Sequence, residues 1–105
     1  MGEKHTITPF DTSADHKYVL VDLDKINQLG EQGRIVLKHV VFYLDVHTGT
    51  SQFNTEVVCI AEFGVYDEIY RKRIRRGIND LLFNKVIAKT DKKDIYWVNK
   101  AIVWK

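Results

Sequence analysis

The sequence predicts a single α+β domain, on three observations. Apolar residues recur at helical spacing over 31–46 and 66–85. Two β-forming runs, Val86 to Lys89 and Ile95 to Val98, flank a polar connection. A chain of 105 residues, 45% hydrophobic and 29% charged, has the composition of a folded protein with one modest core. The domain is expected to span 17–105, after a leading segment 1–16 without periodicity that reads as flexible.

Within that domain, "KYVLVDLD" (Lys17 to Asp24) sets Tyr18, Leu20 and Asp22 on one side and Val19, Val21 and Leu23 on the other, the alternation of a strand. "LDKINQLG" then reads as a short helix or a turn ending at Gly30. In "EQGRIVLKHVVFYLDV" (Glu31 to Val46), Ile35, Val36, Val40, Val41 and Leu44 form a helical stripe. Its β-branched residues also suit a strand, but the window is long and Arg34, Lys38 and Asp45 cluster away from the stripe. "HTGTSQFNT" (His47 to Thr55) reads as a loop, rich in Gly, Ser, Thr and Asn. A short helix follows from Asn54 or Thr55 as N-cap to Gly64, where a left-handed residue ends helices readily.

The longest helix is predicted over Tyr66 to Lys85, capped by Asp67. Tyr70, Ile74, Ile78, Leu81 and Leu82 gather on one arc, while Lys72, Arg75, Arg76, Asn79 and Phe83 lie opposite. Gly77, at the edge of the apolar arc, costs about 1 kcal/mol in helix propensity and marks a close approach by another element. After it, Val86 to Lys89, "TDKKD" and Ile95 to Val98 read as a hairpin. Alternation there makes Trp97 a core residue; stacking of Tyr96 and Trp97 on unpaired bases is the alternative. The final "AIVWK" is expected to pair with the sheet.

Strand, helix, loop, short helix, long helix and hairpin is the element order of a winged helix-turn-helix: three helices, a small antiparallel sheet and here an additional N-terminal strand. The charge supports a DNA-binding role. Residues 1–66 hold five Lys and Arg against nine Asp and Glu, whereas 67–105 hold eleven against five. Arg75, Arg76 and Asn79 have the donor geometry for base edges. Arg71, Lys72, Lys89, Lys92 and Lys93 suit phosphates. The competing reading of the basic run is a solvated helix face.

From Ile74 to Lys105 the chain resembles the winged-helix replication proteins of bacterial plasmids, the RepL type. The matching elements are "IRRGINDLL", "NKVIAK", a wing and "YWVN" followed by an aromatic-lysine ending. A weaker similarity runs back through "LDKINQLGEQGRIVLKHVVFYLD". The resemblance implies sequence-specific binding of double-stranded DNA at an origin or promoter, recruitment of host replication proteins, and no catalysis. Two departures stand out: about one helical turn more separates Gly64 from Arg75 and Arg76, and family members continue past the equivalent of Lys105. A transcriptional regulator of the same fold is one alternative. The other is a protein-interaction module in which the N-terminal strand and Trp104 pair with a partner or a second copy, so a homodimer is open.

No enzyme is expected. His5, His16, His39, His47 and Cys59 lack a zinc spacing, and no Gly-rich phosphate loop or nucleophile elbow occurs. Asp22 and Asp24 share a predicted strand face without a third carboxylate, so neither metal nor cofactor is expected. A lone cysteine, no apolar run long enough for a membrane and no secretory leader point to a cytoplasmic protein.

Overall fold

The computed structural model describes residues 5–8 and 19–104. Their elements run β1 (His5–Thr8), β2 (Val19–Asp22), α1 (Leu23–Gln28), α2 (Glu31–Phe42), β3 (Leu44–Asp45), β4 (Thr50–Gln52), α3 (Thr55–Phe63), α4 (Glu68–Phe83), β5 (Ile87–Lys89), β6 (Ile95–Val98) and β7 (Val103–Trp104). The class is α+β, with four helices and a four-stranded antiparallel sheet ordered β3-β4-β6-β5. A second, three-stranded sheet is ordered β1-β2-β7.

Several boundaries differ from expectation. His5–Thr8, inside the leading segment expected to be flexible, pairs with β2; the rest of 1–16, and Lys17 and Tyr18 of the expected strand, lie outside the described residues. Leu23–Gln28 takes the helical of the two readings open for that segment and makes a fourth helix beside the three expected. Asp22 Oδ1 caps it by accepting from the backbone N–H groups of Asp24 (3.0 Å) and Lys25 (3.4 Å). Asp22 and Asp24 therefore do not share a strand face. The loop expected over His47 to Thr55 contains β4, and the helix expected to reach Val46 ends at Phe42. The closing strand β7 pairs with β2, not with the hairpin sheet.

The core lies between α2, α3, α4 and the inner face of the larger sheet. Val36, Val40, Val41, Val58, Cys59, Ile74, Leu81, Val86 and Ile87 are buried within it. Cys59 packs there as a small hydrophobe, its thiol pushed up by burial and then by the charge of Asp67. Ser51, also fully buried, donates its hydroxyl to the Val40 carbonyl at 2.9 Å, which satisfies it.

Two glycines set the crossing of α2 and α4. A Cβ on Gly77 would overlap the backbone carbonyl of Gln32 and lie 2.7 Å from Val36 Cγ2, so the helix backbones approach closely, as the sequence suggested. On the facing side Gly33 leaves room for Asp80. That carboxylate accepts from the Gly30 N–H at 2.7 Å and so caps α2, whose own N-cap, Gly30, has no side chain to do it. Asn84 holds Asp80 in place, donating to its Oδ1 at 2.9 Å.

The helices α2 and α3 are joined through Glu62. His39 Nε2 stands 2.6 Å from one Glu62 oxygen; a carboxylate only accepts, so that nitrogen donates. Lys38 Nζ reaches the same oxygen at 3.1 Å. Burial acts to raise the Glu62 carboxyl, but these hydrogen bonds and the charges of Lys38 and His39 outweigh it and hold the group below the usual carboxylate range. A carboxyl depressed in the folded state adds stability above its unfolded pKa, and that stability is lost as pH falls through the folded value. Glu62→Gln is therefore expected to destabilise the protein by about 1–2 kcal/mol at neutral pH. The difference should shrink below about pH 4. Thermal melts of both proteins at neutral and acid pH check this; a difference that stays constant across that range would refute the assignment.

Candidate nucleic-acid interface

Helix α4 forms because its first turn is well capped and its apolar residues share one face. Asp67 accepts from the Tyr70 N–H at 2.9 Å, and Glu68 adds negative charge at the positive end of the dipole. Ahead of it, α3 begins at the Asn54 cap, which accepts from the Val57 N–H at 2.8 Å, and ends at Gly64, where φ is 77°. The residues 64–67 between them make the turn. Helix α4 begins at Glu68, so residues 68–71 form its first turn.

Ile74, Gly77, Ile78 and Leu81 are buried, and Lys72, Arg75, Arg76 and Asn79 are exposed on the side away from them. These four candidate residues thus share one outward face. Lys72 is paired with Glu68 at 3.2 Å, but both side chains are about two-thirds exposed (65% and 68%), so the pair is worth little and an anion can displace it. Arg71 differs: it is half-buried, and its Nε is enclosed without a hydrogen-bond partner. The fifth cation, Arg73, lies 4.9 Å over the Phe63 ring and 5.6 Å from that of Tyr70, which stack at 4.3 Å. It ties α4 to α3 and does not belong to the outward face.

The β5–β6 hairpin supplies the remaining candidates. Lys89, Lys92 and Lys93 are exposed and line one concavity of about 310 Å³ at its tip, together with Asp91 and Asp94. Thr90 orders this turn. Its hydroxyl accepts from the Lys92 N–H at 3.1 Å and lies 2.7 Å from the Ile95 carbonyl. Asp94, with φ of 63°, closes the turn, and its carbonyl accepts from the Phe53 N–H at 3.0 Å.

The expectation for Trp97 is corrected. Val98 pairs with buried Ile87 and Tyr96 stacks on buried Phe53 (5.1 Å), so Tyr96 and Val98 face inward and Trp97 faces out, 53% exposed. Burial, then the Asp94 charge, raises the Tyr96 phenol above its ordinary value. Sequence reasoning also missed the exposed apolar residues Val57 and Ile60 of α3, Val65 and Tyr66 of the turn, and Ile69 at the start of α4. Spacing of i, i+3 on α3 was their only signal. Neither edge of β2 offers the free pairing expected of an interaction strand: β1 occupies one, and β7, with Trp104 opposite Leu20, the other.

Among the described residues no group of three or more His, Cys, Asp and Glu side chains converges as a metal site, and no helix is long and apolar enough to cross a membrane. No protein-family model, curated protein or solved structure matches the chain.

Proposed function

We propose that this chain is a winged-helix domain that binds double-stranded DNA, with α4 in the major groove and the β5–β6 hairpin as the wing. The observation that carries the reading is the outward face of α4. Lys72, Arg75, Arg76 and Asn79 are exposed opposite a buried apolar arc, and the chain passes directly from that helix into a lysine-bearing hairpin. The element order α2, β3, β4, α3, α4, β5, β6, with β6 between β4 and β5 and the short β3 added at the far edge of the sheet, supports it. In this arrangement Arg75, Arg76 and Asn79 meet base edges, and Lys72, Lys89, Lys92 and Lys93 meet phosphates. Arg71 contributes only through its guanidinium end.

On the resemblance to plasmid replication proteins, the role proposed is initiation of replication on a plasmid or mobile element, without a catalytic step in this domain. Regulation of transcription uses the same surface. A second reading, a protein-contact module, is favoured by the exposed apolar residues from Val57 to Ile69.

Electrophoretic shifts on duplex DNA at two salt concentrations test the proposal. Four to six phosphate contacts make affinity fall about 10²- to 10³-fold between roughly 50 and 200 mM salt. Absence of binding at low salt, or affinity indifferent to salt, would leave only the protein-contact reading.

A further inference from the structure

A groove of about 560 Å³ runs between the C-terminal end of α4 and the outer side of the hairpin, lined by Leu82, Lys85, Ala88, Lys89, Trp97 and Asn99 among others. Its apolar floor includes Trp97 and, opposite it in register, Ala88. Both side chains are exposed. Asn99 orders the wall: it donates one amide N–H to the Lys85 carbonyl at 2.9 Å and accepts from the Ala101 N–H at 2.9 Å. The ammonium groups of Lys85 and Lys89 are uncommitted, since neither forms an ion pair with the described residues. Lys85 also holds a backbone conformation that side-chain-bearing residues rarely adopt, with φ of 61°, and the Asn99 clamp fixes it there.

A flat apolar surface with two unpaired cations at its rim fits a ligand that is planar at one end and anionic at the other. We propose that this groove binds an unpaired nucleotide of single-stranded DNA, its base stacked on Trp97 and its phosphate at Lys85, with Lys89, which lines both this groove and the hairpin tip, shared between the two surfaces. The proposal rests on the DNA-binding reading of α4 and adds a second mode beside it. Recognition by stacking and charge tolerates any base, since every base has a flat face. A domain with both surfaces holds a duplex and, next to it, a strand released from pairing.

The test uses the full chain with a short oligothymidylate and, separately, a duplex, reading affinity by fluorescence anisotropy of the labelled DNA. Trp97→Ala is expected to weaken oligothymidylate binding about tenfold and to leave duplex binding unchanged. Trp97→Phe should recover much of the loss, because a ring remains, and Lys85→Glu should also weaken the single strand. Circular dichroism melts verify that each variant folds. Should Trp97→Ala prove unstable, Lys85→Glu alone decides. Oligothymidylate affinity unchanged in the folded variants, or equal loss on both DNAs, overturns the proposal. A wild-type protein that binds duplex but not oligothymidylate overturns this inference and leaves the α4 reading standing, whereas binding to neither removes both.

Discussion

Replacing Gly77 by alanine is expected to lower the melting temperature by roughly 5–15 °C, although the substitution improves helix propensity by about 1 kcal/mol. The propensity gain is real but local. Against it stands the backbone of α2, because the new methyl would overlap the Gln32 carbonyl and press on Val36 Cγ2 at 2.7 Å. Neither contact is the free end of a flexible side chain. The helices must part to relieve the overlap, and parting them loosens the packing of Val36, Ile74 and Ile78, all buried at or near that crossing. Overpacking of this kind costs about 1–3 kcal/mol, more where backbone must move, so the net effect is destabilising, and Gly77→Val should be worse. Two other glycines give the comparison. Gly33→Ala meets the movable carboxylate of Asp80 and mainly weakens its hold on the Gly30 N–H. Gly64→Ala meets no atom within 4 Å and suffers only the left-handed strain, about 1–2 kcal/mol. A melting temperature that rises in Gly77→Ala would refute the close approach of α2 and α4.

That close approach was legible in the sequence, because a glycine among helix formers beside an apolar arc costs helix stability unless a neighbouring backbone needs the space. The same holds for features that short-range chemistry determines: the caps Asn54 and Asp67, the stop at Gly64, the hairpin, and the division of α4 into two faces. What could not be read depends on partners distant in the chain. Thr50, Ser51 and Gln52 have no apolar run to mark a strand; they become β4 because β3 and β6 offer backbone partners on both sides. The end of α2 at Phe42 follows from β3 pairing with β4, although Leu44 continues the helical stripe. In β6 either parity places one aromatic outward, and only pairing with Ile87 and stacking on Phe53 decide that it is Trp97. Nothing in the sequence beside Asp80 marks it as more than a charge on α4. Its role as the cap of α2 arises across fifty positions of sequence.

The double substitution Arg75→Ala and Arg76→Ala is expected to weaken duplex binding by roughly 30- to 300-fold at low salt and to leave the fold intact. Both side chains are exposed and among the described residues form no ion pair, hydrogen bond or ring contact, so their removal frees no buried partner. Each guanidinium placed at a base edge or phosphate contributes about 1–2 kcal/mol, and losing two multiplies the effect. If they meet phosphates, the salt dependence should also become shallower, by close to one unit of log-log slope for each phosphate no longer neutralised. Base contacts would instead lower the preference for a specific site over bulk DNA. Arg73 supplies the internal control. It has the same charge one helical step away, but it lies over Phe63 and Tyr70, so Arg73→Ala should lower stability by about 0.5–1 kcal/mol and reduce affinity far less. A general electrostatic attraction would not separate these variants, because it depends on net charge and not on which side of α4 the charge stands. Equal losses for equal charge removed would therefore count against α4 as the groove-facing helix, and an unchanged affinity in the double variant would return the basic run to a solvated face.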